Sequence, residues 1–323
     1  MQRSPTRRTF CATLLACCSM GVAAQTWPDR PIRWVVPYAA GGASDIVTRI
    51  VAQRMAERLG QPVVVDNQPG AATVLATEAF TRANPDGYNI LTAAGSAMTL
   101  HPELRRNLRY DVERDFSPIA GLVRLPMVLV VGQNSPYKNL AELTSFLKKN
   151  KATYSSVGVG SPHHLVSESF LKQINAKAVH VPFNGTVASL TDVTQGLIDF
   201  SITDLASARA LIQKGLLRPL AVPSDNRSAA LPEVPTFKES GQPLTGFAWH
   251  GVVVPRDTPD AIAERIHREI VEALNDKGIA QRLRDMGTEP QPETTPAQLR
   301  AFIKAERARW GELIRERKLT LEN

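Results

Sequence analysis

The stretch "VVPYAAGGASDIVTRI" (Val35–Ile50) decides the fold. It begins as a β-rich apolar run, passes through Gly41-Gly42 and ends on a helical pattern. Apolar residues at Val47, Ile50, Val51, Met55 and Leu59 form one helical face, so the spacing predicts a helix over Ser44–Leu59. The run before the glycines predicts a strand over Ile32–Pro37. A helix N-terminus presents unpaired backbone N–H groups and a partial positive charge. Glycine lets a ligand approach that backbone closely. Together they make an anion cradle that needs no lysine or arginine. Asp45 would repel an anion if it faced one, so it is expected to brace the turn or to meet a ligand's ammonium group.

Outward from this unit, strand and helix patterns alternate almost to the end. A second strand is predicted over Pro62–Val65, closed by the turn "DNQPG" (Asp66–Gly70). A helix over Ala72–Ala83 and a strand over Asn89–Thr92 follow. Ala94–Pro118 reads as irregular, and Met127–Gly132 as a continuous apolar strand. A second alternating series runs from the helix Asn139–Lys149 to the strand Arg218–Val222. After proline-rich turns come a strand over Trp249–Val254 and three helices in the tail. The fold class expected is α/β and two-lobed, each lobe a mostly parallel sheet flanked by helices. Short crossings near Val123–Leu125 and Gly246–Trp249 read as two hinges. They divide the chain into a first lobe of 25–124 plus 246–323 and a second of 125–245.

Two further turns join a strand to a helix: "SVGVGSPHH" (Ser156–His164) and "VPFNGT" (Val181–Thr186). In an open α/β sheet such turns gather at the carboxyl ends of the strands, where ligands sit. No turn carries the phosphate-loop pattern, and "GGASDI" does not match the dinucleotide fingerprint. Ser161 lacks the downstream glycine of a nucleophile elbow. It reads instead as a helix N-cap and ligand hydrogen-bond donor, with Pro162 at the first helical position. Adjacent His163 and His164 point in different directions on a helix, which argues against joint chelation. His101, His180 and His250 read as isolated structural histidines. Asp204 follows a predicted strand and reads equally as a helix cap or as a partner for a cationic ligand group.

The first 24 residues form an expected secretory signal peptide, with a basic start, an apolar stretch and small residues before cleavage after Ala24. Lipidation at Cys17, in "LLAC", is the minority alternative to soluble export to the periplasm. All three cysteines lie in this leader, so the exported chain is expected to do no thiol or Cys-ligated metal chemistry. The leader also carries Arg3, Arg7 and Arg8 and no acid, so the net charge falls from +7 to +4 on cleavage. With no dense basic run and few aromatics, the chain offers no nucleic-acid surface.

The segments "PIRWVVPYAAGGASDIVTRIVAQRMAERLGQPVVVDNQPGA", "ANPDGYNIL", "YDVERDFSPIAGL", "SVGVGSPHHL", "HVPFNGT", "LRPLAV" and "LPEVPTFKESG" recur in that order. Their succession resembles the solute-binding receptors of tripartite tricarboxylate transporters, also called Bug proteins. The resemblance implies a two-lobed periplasmic receptor that closes on a small carboxylate and performs no catalysis. It implies a first ligand loop of Tyr38, Ala39, Ala40, Gly41, Gly42 and Ser44, and a second of Gly158, Gly160, Ser161 and His164. Ser96, Asn184, Gly185, Thr186, Thr203 and Asp204 are implied to lie near them. This chain departs from the family at "NQPGAAT", where Gln68, Ala72 and Thr73 replace the usual "NRPGAGG", and at Asn184, which replaces a cation. A mono- or small dicarboxylate therefore fits better than a multiply charged ligand, with an amino acid among the candidates. The implied partners are permease subunits or a sensor kinase domain; a monomer with no metal or cofactor is expected. The rival from another class is an exported serine hydrolase using Ser161.

Overall fold

The computed structural model describes residues 27–317. The expected leader, its three cysteines and the Cys17 anchor site lie outside the described residues. The chain opens with strand β1 (Ile32–Val36), helix α1 (Ala43–Leu59) and β2 (Val63–Asn67). A short 3-10 turn (Ala71–Thr73) leads into α2 (Val74–Phe80), β3 (Asn89–Ala94), a π turn (Ser96–Leu100), α3 (His101–Leu104) and α4 (Val112–Asp115). Then come β4 (Phe116–Gly132), α5 (Leu140–Leu147), β5 (Thr153–Ser156), α6 (Pro162–Gln173), β6 (Val179–Pro182) and α7 (Thr186–Thr194). The chain continues through β7 (Phe200–Asp204), α8 (Leu205–Gln213), β8 (Leu217–Ala221) and β9 (Phe247–Pro255). It ends with α9 (Asp260–Asn275), α10 (Lys277–Asp285), β10 (Glu289–Pro290) and α11 (Pro296–Arg317).

The main path of the sheet runs β2-β1-β3-β9-β4-β7-β5-β6, with β8 and β10 also paired to β4. Its two flanks are parallel: β1 lies between β2 and β3, and β5 lies between β6 and β7. These are the two alternating α/β units expected from the sequence. The strands that join them are antiparallel, with β9 pairing β3 and β4, and β4 pairing β7 and β8.

The long strand β4 corrects the expectation for Ala94–Pro118 and for the residues before Met127. Strand structure begins at Phe116 and runs for 17 residues. Pro118, Gly121 and Pro126 weaken the β signal there, and the register shifts between Pro118/Ala120 and between Gly121/Val123. Phe116–Pro126 pairs with β9, whereas Met127 onward pairs with β7 and, from Leu129, with β8. The chain therefore changes sheet partners within one strand, at Pro126-Met127.

The first helix behaves as its spacing predicts. Val47, Ile50, Val51 and Met55 are buried. Gly60 stops the helix in a left-handed conformation (φ 69°), its N–H donating to Ala56 O. Helices α9 and α10 pack on α1, and α11 packs on β4 and the Ser96–Leu100 turn. Among the described residues, no helix is long and apolar enough to cross a membrane.

Candidate functional site

The carboxyl ends of β1, β5 and β7 and the middle of β9 converge on one narrow cleft. Its first wall is the turn after β1. Gly41 sits at φ +84°, and its N–H donates to Asp45 Oδ2 at 2.9 Å. Asn67 Nδ2 donates to Asp45 Oδ1 (3.0 Å) and to Tyr38 O (3.0 Å), and Arg49 Nε lies 2.9 Å from Asp45 Oδ1. Burial pushes the Asp45 carboxyl up, but the bonds from Arg49, Gly41 and Asn67 together hold it below the usual range. Asp45 is thus an ionised brace for the turn. The next residue after Gly41, Gly42, is the N-cap of α1 and has no side chain to cap with.

The opposite wall is the start of α7, with Gly185 as N-cap. The two walls touch. A Cβ on Gly42 would lie 3.1 Å from Thr186 Oγ1, and one on Gly185 would lie 3.0 Å from Ala39 Cβ. Ser207 ties them further: its Oγ accepts from Ala43 N (3.3 Å) and from Thr186 Oγ1 (3.0 Å). Two helix N-termini from the two parallel flanks of the sheet therefore face each other across the cleft.

The floor is polar and buried. His163 Nε2 and Asp204 Oδ1 lie 3.0 Å apart but without hydrogen-bond alignment, and both side chains are less than a tenth exposed. Ser44 Oγ and His250 Nε2 are 2.6 Å apart. Burial pushes His250 down to about 4, more than the nearby Asp204 carboxylate pulls it up. The Tyr38 hydroxyl bonds Ser96 Oγ at 3.3 Å, and burial raises its pKa. The lining residues include one carboxylate, two imidazoles and a phenol, and among the described residues no lysine or arginine joins them.

Of the residues expected at the site, the structure brings Tyr38, Ala39, Gly42, Ser44, Gly185, Thr186 and Asp204 to the cleft. Ser96 stands behind Tyr38, and Ala40, Gly41 and Asn184 are exposed outside the lining. Thr203 is buried in β7, paired with Val128. The second loop is placed differently from the expectation. A Cβ on Gly158 would meet Ala72 Cβ at 2.9 Å, and one on Gly160 would meet His101 Cε1 at 2.7 Å. These glycines admit protein neighbours rather than line the cleft. Ser161 Oγ accepts from His164 N (3.2 Å), and His164 Nδ1 accepts from Gly160 N (3.2 Å). His164 also stacks on His180 at 4.2 Å, and burial pushes it down to about 3. Ser161 is the N-cap of α6, as its sequence context predicts. The hydrolase reading finds no support, because this hydroxyl is fully buried and committed to its helix.

The sequence gives no sign of His163 and His250 as cleft residues; their nearest sequence signals, an adjacent histidine and an apolar strand, point to structural roles. Asp204 holds the N-cap position of α8 but makes no side-chain capping bond. Among the described residues, no group of three or more His, Asp or Glu is arranged to hold a metal ion.

A two-lobed α/β protein with a polar cleft between facing helix N-termini belongs, by architecture, with the periplasmic binding proteins. Similarity to known proteins agrees. Residues 47–319 match the tripartite tricarboxylate transporter family receptor model, and the chain belongs to that family. It is similar to the periplasmic binding protein BugD (30% identity, 92% of this chain and 100% of that one, TM-score 0.87). It is also similar to a solved R. palustris protein with adipate (28%, 91% and 99%, TM-score 0.87). MatC from Rhodopseudomonas palustris with bound malate is a third relative (28%, 89% and 99%, TM-score 0.84). The family consists of transporter binding proteins rather than enzymes.

Proposed function

We propose that this chain is an exported solute receptor that captures a small carboxylate in the cleft and delivers it to a permease or reports it to a sensor. The observation that carries the reading is the opposition of the α1 and α7 N-termini, with Gly42 and Thr186 face to face. Two partial positive charges converge where the lining holds no lysine or arginine. The adipate and malate bound by two relatives support the same ligand chemistry. Under this reading the lobes are 25–124 plus 246–323 and 125–245, and the switch of β4 from β9 to β7 is one hinge. The ligand favours the closed state because only there do both helix ends reach it. The periplasm is the expected compartment, given BugD and the leader's composition.

Calorimetry or thermal shift against a panel of small carboxylates tests this. At least one carboxylate is expected to stabilise the protein. If none does while a neutral sugar does, the reading fails.

A further inference from the structure

We propose that Asp204, with His163 beside it, receives a protonated amine of the ligand, so that the carboxylate held in this cleft is a small amino acid. This rests on the carboxylate reading above and narrows it. Asp204 ends β7 and stands at the head of α8, a position where an aspartate ordinarily caps the helix. Here it makes no capping bond, and its Oδ1 finds no hydrogen-bond partner among the described residues although the residue is only 5% exposed. Neither ring nitrogen of His163 has a partner either, and that residue is 3% exposed. Buried polar atoms are ordinarily matched. Both residues line the cleft, so a ligand there can match them.

Charge selects which ligand. No lysine or arginine in the lining offsets Asp204. A second carboxylate on the ligand would meet that charge at short range and be repelled, whereas an ammonium would be attracted by a comparable amount. An ammonium carries three donors and no acceptor. Asp204 Oδ1 and His163 Nε2, 3.0 Å apart, offer it a carboxylate oxygen and an imidazole nitrogen in one place. The ligand's own carboxylate remains for the helix N-termini at Gly42 and Thr186. The competing account is a self-contained His163–Asp204 ion pair that needs no ligand.

The test is calorimetry on the purified protein with four matched probes: butyrate, 2-aminobutyrate, 4-aminobutyrate and succinate. At least one amino acid is expected to bind about tenfold or more tighter than butyrate and succinate. Asp204→Asn, which keeps the size and helix-end chemistry, is expected to remove that advantage, and succinate, no longer repelled, is expected to bind more tightly. His163→Phe removes the second acceptor and is expected to weaken the amino acids more than butyrate or succinate. If butyrate or succinate binds the unmodified protein as tightly as either amino acid, the proposal is overturned while the carboxylate reading stands. The same holds if Asp204→Asn lowers the ligand-free melting temperature and leaves the ranking intact, which is the signature of the self-contained pair. Should none of the four bind, nor any member of a wider carboxylate panel, both readings fall together. The ranking on the unmodified protein decides the matter even where a variant does not fold.

Discussion

The turns after β1 and β5 are built alike and used differently. In each, a glycine in the left-handed region (Gly41, φ +84°; Gly160, φ +79°) donates its N–H to a side chain four residues on. In the first turn the acceptor is Asp45, held ionised by its neighbours; in the second it is His164, held neutral by burial. The first turn presents its next residue, Gly42, to the cleft, whereas the second packs Gly158 and Gly160 against Ala72 and His101. A glycine before a helix therefore announces a close approach, and the neighbouring chain decides whether ligand or protein makes it.

The largest effect that would test this contrast comes from a matched pair of substitutions. Gly160→Ala and Gly41→Ala carry nearly equal backbone strain, about 1 kcal/mol or somewhat more. They differ in what the new methyl meets. At Gly41 it finds Val187 Cγ2 at an ordinary 3.7 Å, but at Gly160 it finds His101 Cε1 at 2.7 Å. His101 cannot easily yield, because it is fully buried and its Nε2 is fixed to Ala72 O at 2.9 Å. Gly160→Ala is expected to cost about 3 kcal/mol against about 1 for Gly41→Ala, read from urea midpoints. Equal losses would break the comparison.

Acid separates the turns next. His164 titrates near 6.5 unfolded and about 3 folded, so the unfolded chain takes up the proton first. Its contribution is fully present above about pH 6.5 and is lost as pH falls toward 3. The loss at pH 5 relative to pH 7 is about 2 kcal/mol. Asp45 behaves otherwise: its pKa is lowered from 3.8, so its contribution persists until the pH falls below that value. The Gly160 N–H is expected to lose its partner near pH 5 while the Gly41 N–H keeps Asp45, as followed by amide exchange at the two glycines. The Ser44–His250 contact weakens over the same range, because burial pushes His250 down to about 4. His164→Gln, which keeps an acceptor, should reduce the loss between pH 6.5 and 4, the remainder coming from His101, His180 and His250, which burial also pushes down to about 4.

How much of this was legible in the sequence follows from what each feature depends on. The α1 face at Val47, Ile50, Val51 and Met55 and the Ser161–Pro162 start of α6 are local, and the structure reproduces them. The first half of β4 was hidden because Pro118, Gly121 and Pro126 interrupt the β pattern, and only pairing with β9 holds the strand together. The cleft floor was hidden for another reason. His163, Asp204 and His250 come from α6, β7 and β9, and no spacing within one segment brings them together. The glycines of the second turn were legible as close approaches, but the identity of the approaching group, Ala72 and His101, is a tertiary fact.

Removing the brace of the first turn is a smaller perturbation than either effect above. Asp45→Ala leaves the Gly41 N–H and the Asn67 amide without their partner, at a cost of about 1.5 kcal/mol. The exposed Arg49 contributes little to that figure, since its guanidinium returns to water. Thermal unfolding at pH 7 measures the loss, and an unchanged melting temperature would show that the turn holds without Asp45.

The smallest effect on stability comes from the third turn, and it sharpens the comparison most. Gly185 is extended (φ −179°), a conformation any residue adopts, so Gly185→Ala adds no backbone strain. The new methyl meets Ala39 Cβ at 3.0 Å, and Ala39 belongs to the opposite wall of the cleft. A methyl there obstructs the approach of the walls without touching the core of either. Unfolding free energy is expected to change by less than about 0.5 kcal/mol, the range of an uncomplicated surface substitution. Affinity for a bound carboxylate should nevertheless fall several-fold, because the closed state alone bears the clash. Calorimetry and urea unfolding on the same variant read the two quantities separately. If stability falls as much as affinity, Gly185 is packed like Gly160, and the first and third turns do not form the moving pair.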